Sequence, residues 1–238
     1  MNVLVLDNTL DRDSWGSSDL VQSLSRAHSA TIWVRRSPHQ DFPSASQLRR
    51  FDRLVLSGSR TAATDTGPWI SQLDSVIAEA IEAGIPILGV CYGHQAIARV
   101  LGSSKGSHLN VRRSATPEIG WTSITRSSEP AAQTLLGALP ERFHSFSVHY
   151  DEVCDLPRGC VLLASSERCA IQAYASQERP IFGVQFHPER SCEAGEATLK
   201  QSAKKKLPFA LLNPGRGPHL YSQEVALTIF GNFLKGCV

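Results

Sequence analysis

Four short apolar runs, at residues 3–6, 31–34, 53–56 and 85–90, alternate with stretches of helical periodicity at 18–27 and 70–83. Two of them, Leu54-Val55-Leu56 and Ile85-Pro86-Ile87-Leu88, are apolar on both alternating faces. A strand without a polar face has to be covered by helices on both sides, and strands joined through helices run parallel. The pattern predicts an α/β chain: a flavodoxin-like three-layer sandwich with a mostly parallel central sheet. Past residue 115 the texture changes, with short runs at 121–125, 146–149, 160–164, 170–174 and 181–186 separated by turns. These predict an antiparallel extension of the same sheet.

All 238 residues are expected to form one domain, 1–238, within which the irregular stretch 191–222 is a long loop or insertion. It carries Lys204-Lys205-Lys206, read as a solvated surface or as a contact for an anionic substrate or partner. An amphipathic helix over 223–234 packs Val225, Leu227, Ile229, Phe230 and Phe233 against the body.

Charge and cysteine usage exclude several classes. With 24 Lys plus Arg against 22 Asp plus Glu, the net charge of +2 leaves no basic footprint for nucleic acid. The opening Met-Asn-Val-Leu-Val-Leu-Asp reads as a strand and not a secretory signal, and no apolar run approaches membrane-spanning length. A cytoplasmic chain with reduced thiols follows, without nucleic-acid or membrane partners. The six cysteines are Cys91, Cys154, Cys160, Cys169, Cys192 and Cys237, and no two form Cys-x-x-Cys. Neither a zinc site nor a redox dithiol is expected, and most of the six should be inert buried hydrophobes.

Cys91 is the exception. Gly89-Val90-Cys91-Tyr92-Gly93 follows the apolar run 85–90 and precedes the helix-compatible run 94–101. A nucleophile on such a strand–turn–helix junction sits in a strained backbone with its side chain presented, and glycines two residues to each side relieve crowding. The helix start directs backbone N–H groups and its positive dipole end at the sulfur, an environment that activates a thiol. With Gly at about 7% of residues, any one of six cysteines is flanked this way by chance about 3% of the time.

A thiol nucleophile needs a base, and the base needs an orienting acceptor. Gln185-Phe186-His187-Pro188-Glu189, at the end of the run 181–186, supplies both in one short turn that Pro188 stiffens. His94 competes as a base through proximity in sequence. It ranks second, because a residue three along on the helix points away from the elbow.

These residues resemble the class I (triad) glutamine amidotransferases, and the likeness runs from Met1 to Glu189. Gly89-Val90-Cys91-Tyr92-Gly93-His94-Gln95 is similar to that family's nucleophile elbow, and Phe186-His187-Pro188-Glu189 to its His/Glu segment. The resemblance implies a catalytic triad of Cys91, His187 and Glu189. Leu56-Ser57-Gly58-Ser59-Arg60 resembles the family's Gly-rich loop, implying an oxyanion hole built from the N–H of Ser59 or Gly58 and that of Tyr92. Ser59 stands where the loop commonly has Gly. Gln95 matches a residue that helps bind the glutamine amide, and Ser147-Val148-His149-Tyr150-Asp151 resembles the segment that holds the substrate's α-amino and α-carboxylate groups. His149 and Asp151 read equally well as structural polar residues at a strand end.

Glu118-Ile119-Gly120-Trp121, together with His149-x-Asp151-Glu152-Val153 and Leu156-Pro157, looks like the stand-alone branch related to the GMP synthase glutaminase domain, a branch that also includes γ-glutamyl peptidases. No phosphate-binding Gly-x-x-x-x-Gly-Lys-[Ser/Thr] loop occurs. The implied activity is hydrolysis of the glutamine side-chain amide through a γ-glutamyl thioester, with ammonia passed to a synthetase on another chain. A self-sufficient γ-glutamyl peptidase and a non-catalytic binding module on the same fold are the alternatives. No cofactor and no metal are implied.

Overall fold

The computed structural model describes residues 1–11, 17–102 and 110–236, and Cys237 lies outside them. Its first half alternates β1 (Asn2–Asp7), α1 (Ser18–Ala27), β2 (Thr31–Arg36), α2 (Ala45–Leu48), β3 (Arg53–Leu56), α3 (Pro68–Glu82), β4 (Ile87–Val90) and α4 (Tyr92–Leu101). There follow β5 (Val111–Arg126), α5 (Pro130–Leu136), β6 (Arg142–Val153), β7 (Cys160–Ser165), β8 (Ala173–Ser176), β9 (Ile181–Val184), α6 (Cys192–Ala203), α7 (Gly217–Leu220) and α8 (Gln223–Lys235).

One nine-stranded sheet in the order β2-β1-β3-β4-β9-β8-β7-β5-β6 runs through the molecule. The strands from β2 to β9 in that order are parallel, and each later neighbour pair is antiparallel. The sheet is the expected α/β one with an antiparallel extension. Its parallel half has the flavodoxin-like order, with β9 taking the fifth place.

Side-chain alternation along the strands builds the layers. Val3, Val5, Val55, Leu88 and Val90 face one way and pack on α1, α5 and α8 through Leu24, Leu135, Ile229 and Phe230. Leu4, Leu6, Leu54, Leu56 and Ile87 face the other way, onto Leu73 and Ile77 of α3 and Ile97 of α4. Each such side chain contributes about 1.5–3 kcal/mol by leaving water, so the strands are held in register from both faces.

The stretch 191–222 corrects the expectation of a long loop. Residues 192–203 form α6, capped by Ser191, whose hydroxyl accepts from the Ala194 N–H, and α7 adds a short helical turn. Only 204–216 is irregular. The segment packs as a third core on β5 and β6, with Leu199, Leu207, Phe209 and Leu220 against Ile119, Trp121 and Phe146. Gly195, which reads as a helix breaker, is where α6 presses on the sheet: a Cβ there would lie 2.7 Å from Trp121 Cζ2. Glu196 locks the arrangement by accepting from Trp121 Nε1 at 2.9 Å and from the Gly217 N–H at 2.8 Å.

Candidate active site

β4 ends at Val90, α4 begins at Tyr92, and Cys91 between them has φ 52° and ψ −104°. A residue with a Cβ in that region stores about 1–3 kcal/mol of strain and needs its surroundings to hold it there. Two hydrogen bonds do so: the Cys91 N–H donates to Val184 O at 2.8 Å, and the Gln95 N–H to Cys91 O at 3.1 Å. The flanking glycines are required sterically. A Cβ on Gly89 would lie 2.4 Å from the Gly93 carbonyl, and one on Gly93 would lie 2.4 Å from Leu56 O.

β9 adjoins β4 in the sheet, and its continuation carries His187 to the elbow. The His187 N–H donates to Phe146 O at 2.7 Å, which fastens the turn to β6. Nδ1 of the ring meets Glu189 Oε1 at 2.7 Å, both side chains being only 11% exposed. Nε2 has no conventional hydrogen-bond partner among the described residues and is the nitrogen left for the thiol. Burial alone would favour the neutral ring, but the Glu189 carboxylate and Cys91 oppose it and raise the His187 pKa to about 10. The ring is an imidazolium at neutral pH, a proton donor poised at the sulfur.

His94 is placed otherwise. It is fully buried, its ring centroid 4.7 Å from that of Tyr174, and burial lowers its pKa to about 3. It faces Gly183 and Tyr174 and remains neutral.

The β3–α3 loop runs beside the nucleophile. A Cβ on Gly58 would lie 3.0 Å from His187 Cε1 and 3.6 Å from Cys91 Cβ. Ser59 is not among the residues with positive φ, so its side chain does not strain the loop at the position where the family commonly has Gly; its hydroxyl pairs with Thr61 Oγ1 at 3.0 Å. Tyr92 opens α4, where a backbone N–H has no intrahelical acceptor. Its ring is buried against Trp69, with centroids 5.9 Å apart.

The residues assigned to substrate binding divide. Val148 O lies 4.0 Å from Cys91 Sγ, and Ser147 Oγ is buried with no hydrogen-bond partner among the described residues. Gln95 and His149 are engaged inside the protein. Gln95 Nε2 donates to Asp151 O and Gln185 Oε1, both at 2.9 Å, while His149 bridges Glu118 Oε2 at 3.1 Å and Asp151 O at 3.0 Å. Asp151 Oδ2 accepts from the Ala63 N–H at 2.8 Å, tying β6 to the segment that follows the Gly58 loop.

Glu118, quoted above only as part of a motif, is the hub of this buried network. Besides His149 it accepts from Ser166 Oγ at 2.6 Å and Gln172 Nε2 at 2.6 Å. Burial alone would raise its pKa, but the hydrogen bonds and the His149 ring reverse that and hold the carboxyl below the usual range. The motif around it did not reveal the role, because both of its partners Ser166 and Gln172 lie on distant segments.

Residues 17–205 match the model of the family described as glutamine amidotransferase class-I. The chain belongs to this family. Cys91, His187, Glu189, Gly58 and Tyr92 all fall within the matched span. This glutamine amidotransferase is 36% identical over 152 residues to a glutamine-hydrolysing GMP synthase subunit from Saccharolobus solfataricus, covering 64% of this chain and 73% of that one. It is 35% identical over 167 residues to the corresponding protein from Sulfolobus acidocaldarius, covering 68% and 80%. Among solved structures, a glutamine amidotransferase from Methylobacillus flagellatus superposes with a TM-score of 0.80 at 23% identity, covering 98% of this chain and 94% of that one. At that identity the likeness speaks for the fold. No helix among the described residues is long and apolar enough to cross a membrane.

Proposed function

We propose that this class-I glutamine amidotransferase hydrolyses the side-chain amide of glutamine in the cytoplasm, without a cofactor, and passes the ammonia to a synthetase on another chain. The observation that carries the reading is the elbow: Cys91 on a left-handed turn beside a His187–Glu189 pair at 2.7 Å. The synthetase partner is supported by the relatives, each of which is named as one subunit of a GMP synthase and not as the whole enzyme.

The chemistry is acyl transfer. Cys91 sulfur attacks the amide carbon, forming the C–S bond while the carbonyl electron pair moves onto oxygen. The N–H groups of Tyr92 and of Gly58 or Ser59 receive that oxyanion. Collapse breaks the C–N bond, and the His187 imidazolium gives its proton to the departing nitrogen, releasing ammonia. Neutral His187, oriented by Glu189, then takes a proton from water, which attacks the thioester, breaks the C–S bond and frees glutamate. Substrate contact is assigned to Ser147, to the Val148 backbone, and to Gln95 and His149 as supports of that wall.

The test is glutamate release from L-glutamine and from γ-glutamyl dipeptides, with Cys91→Ala as the blank. Cys91→Ala is expected to abolish turnover while keeping the urea-unfolding midpoint within about 1 kcal/mol of the parent, since alanine lacks only the sulfur. Comparable turnover in that variant would refute the nucleophile. Efficient cleavage of dipeptides with little of glutamine would replace ammonia donation by γ-glutamyl hydrolysis.

A further inference from the structure

Asn8 follows β1 as a fully buried side chain with one amide hydrogen bond: Nδ2 donates to Ser57 O at 2.9 Å. Its Oδ1 has no hydrogen-bond partner among the described residues. Leaving a buried carbonyl unpaired costs about 1–3 kcal/mol, and packing alone would be better served by a leucine. The acceptor explains the choice. In a trans peptide the C=O and the following N–H point in opposite directions, and none of the described peptides is cis. Turning Ser57 O toward β1 therefore turns the Gly58 N–H away from β1. In this sheet that direction is toward β4, at whose end Cys91 stands.

Ser57 repeats the device one residue on. Its hydroxyl donates to Gly58 O at 3.0 Å, which fixes the direction of the Ser59 N–H in the same way. The hydroxyl is itself held, accepting from the Asn8 N–H at 2.9 Å with Asp7 Oδ1 at 3.4 Å. Asp7 is anchored in turn by the Thr9 N–H at 3.0 Å and by Arg36 at 3.7 Å.

We propose that Asn8 and Ser57 are positioning residues for the oxyanion hole: they aim the two peptide N–H groups, of Gly58 and Ser59, from which one donor is drawn. The inference rests on the acyl-transfer reading above, because without an oxyanion at Cys91 the two peptides have nothing to stabilise. Oxyanion stabilisation exists only in the transition state, so its loss lowers kcat and leaves KM in place.

Asn8→Ala removes only the side-chain bond, Ser57→Ala only the hydroxyl, and Ser57→Thr keeps the hydroxyl. For each, kcat and KM for glutamine are measured beside the rate at which iodoacetamide alkylates Cys91, read from the mass of its peptide. Alkylation displaces iodide at a saturated carbon and builds no oxyanion. Both alanine variants are expected to lose about tenfold to hundredfold in kcat, with KM and alkylation unchanged and with Ser57→Thr restoring turnover. The proposal is overturned if kcat stays at the parent value, or if alkylation falls in step with kcat, which marks a structural role. Should Asn8→Ala fail to fold, Ser57→Ala, the smaller truncation, decides alone. A parent protein that releases no glutamate overturns the acyl-transfer reading and this proposal together, whereas an active parent with unaffected variants overturns this one only.

Discussion

His94 makes the stability of this protein sensitive to acid, and the size of the effect follows from its burial. In the folded state the ring is enclosed against Tyr174 and Gly183, and desolvation, assisted by His149, lowers its pKa to about 3. In the unfolded chain an imidazole titrates near 6.5. Between those values the unfolded chain binds a proton that the folded one refuses. The contribution is therefore intact above about pH 6.5 and shrinks by about 1.4 kcal/mol for each pH unit below it. At pH 5 that amounts to about 2 kcal/mol, a large share of a total that is typically about 5–15 kcal/mol. His94→Gln removes the titration. Its packing cost is a constant offset, so the informative quantity is the stability difference between variant and parent, from urea unfolding at pH 7 and pH 5. That difference is expected to move in the variant's favour by about 2 kcal/mol between the two pH values. Parallel changes in the two proteins would refute the buried-neutral assignment. The same variant should keep its turnover, since His187 and not His94 faces the thiol; loss of activity with the fold intact would reopen the choice of base.

Two further outcomes test the frame around the site. Gly58→Ala places a methyl 3.0 Å from His187 Cε1, so the ring must give way by a few tenths of an ångström. Turnover should fall about tenfold to hundredfold with little change in urea stability, and turnover within about threefold of the parent would show that the loop does not set the ring position. Gly120 has φ 135°, and a Cβ there would lie 2.0 Å from Leu212 O. Gly120→Ala should loosen the segment after α6, seen as faster tryptic cleavage at Lys204–Lys206, and unchanged cleavage would deny that Gly120 pins it.

The layered half of the fold was legible because strands buried on both faces cannot conceal their composition: Leu54, Val55 and Leu56 admit no exposed side. The elbow was legible for a related reason, since Gly89 and Gly93 answer a collision within a few residues of Cys91. What escaped notice depends on distant partners. α6 is polar over most of its surface and carries a glycine, and its reason for being a helix is the Trp121 ring beneath Gly195. β5 and β6 run well past their apolar cores because Glu118 and His149 pair inside the sheet, where a polar residue reads as a turn. Asn8 and Ser57 belong to no spacing pattern at all, and only the adjacency of β1 and β3 brings them together.

The position of β9 has a consequence for how the site comes into being. Until residues 181–184 dock, β4 is an open edge with Ile87, Leu88 and Val90 unpaired on one side. The elbow lacks the Val184 carbonyl that anchors Cys91, and the base does not yet exist in space. Pairing so distant in sequence is slow relative to local helix formation. A partly folded chain therefore has a thiol but no machinery around it, and hydrolytic competence arises in the same event that seals the last vulnerable sheet edge.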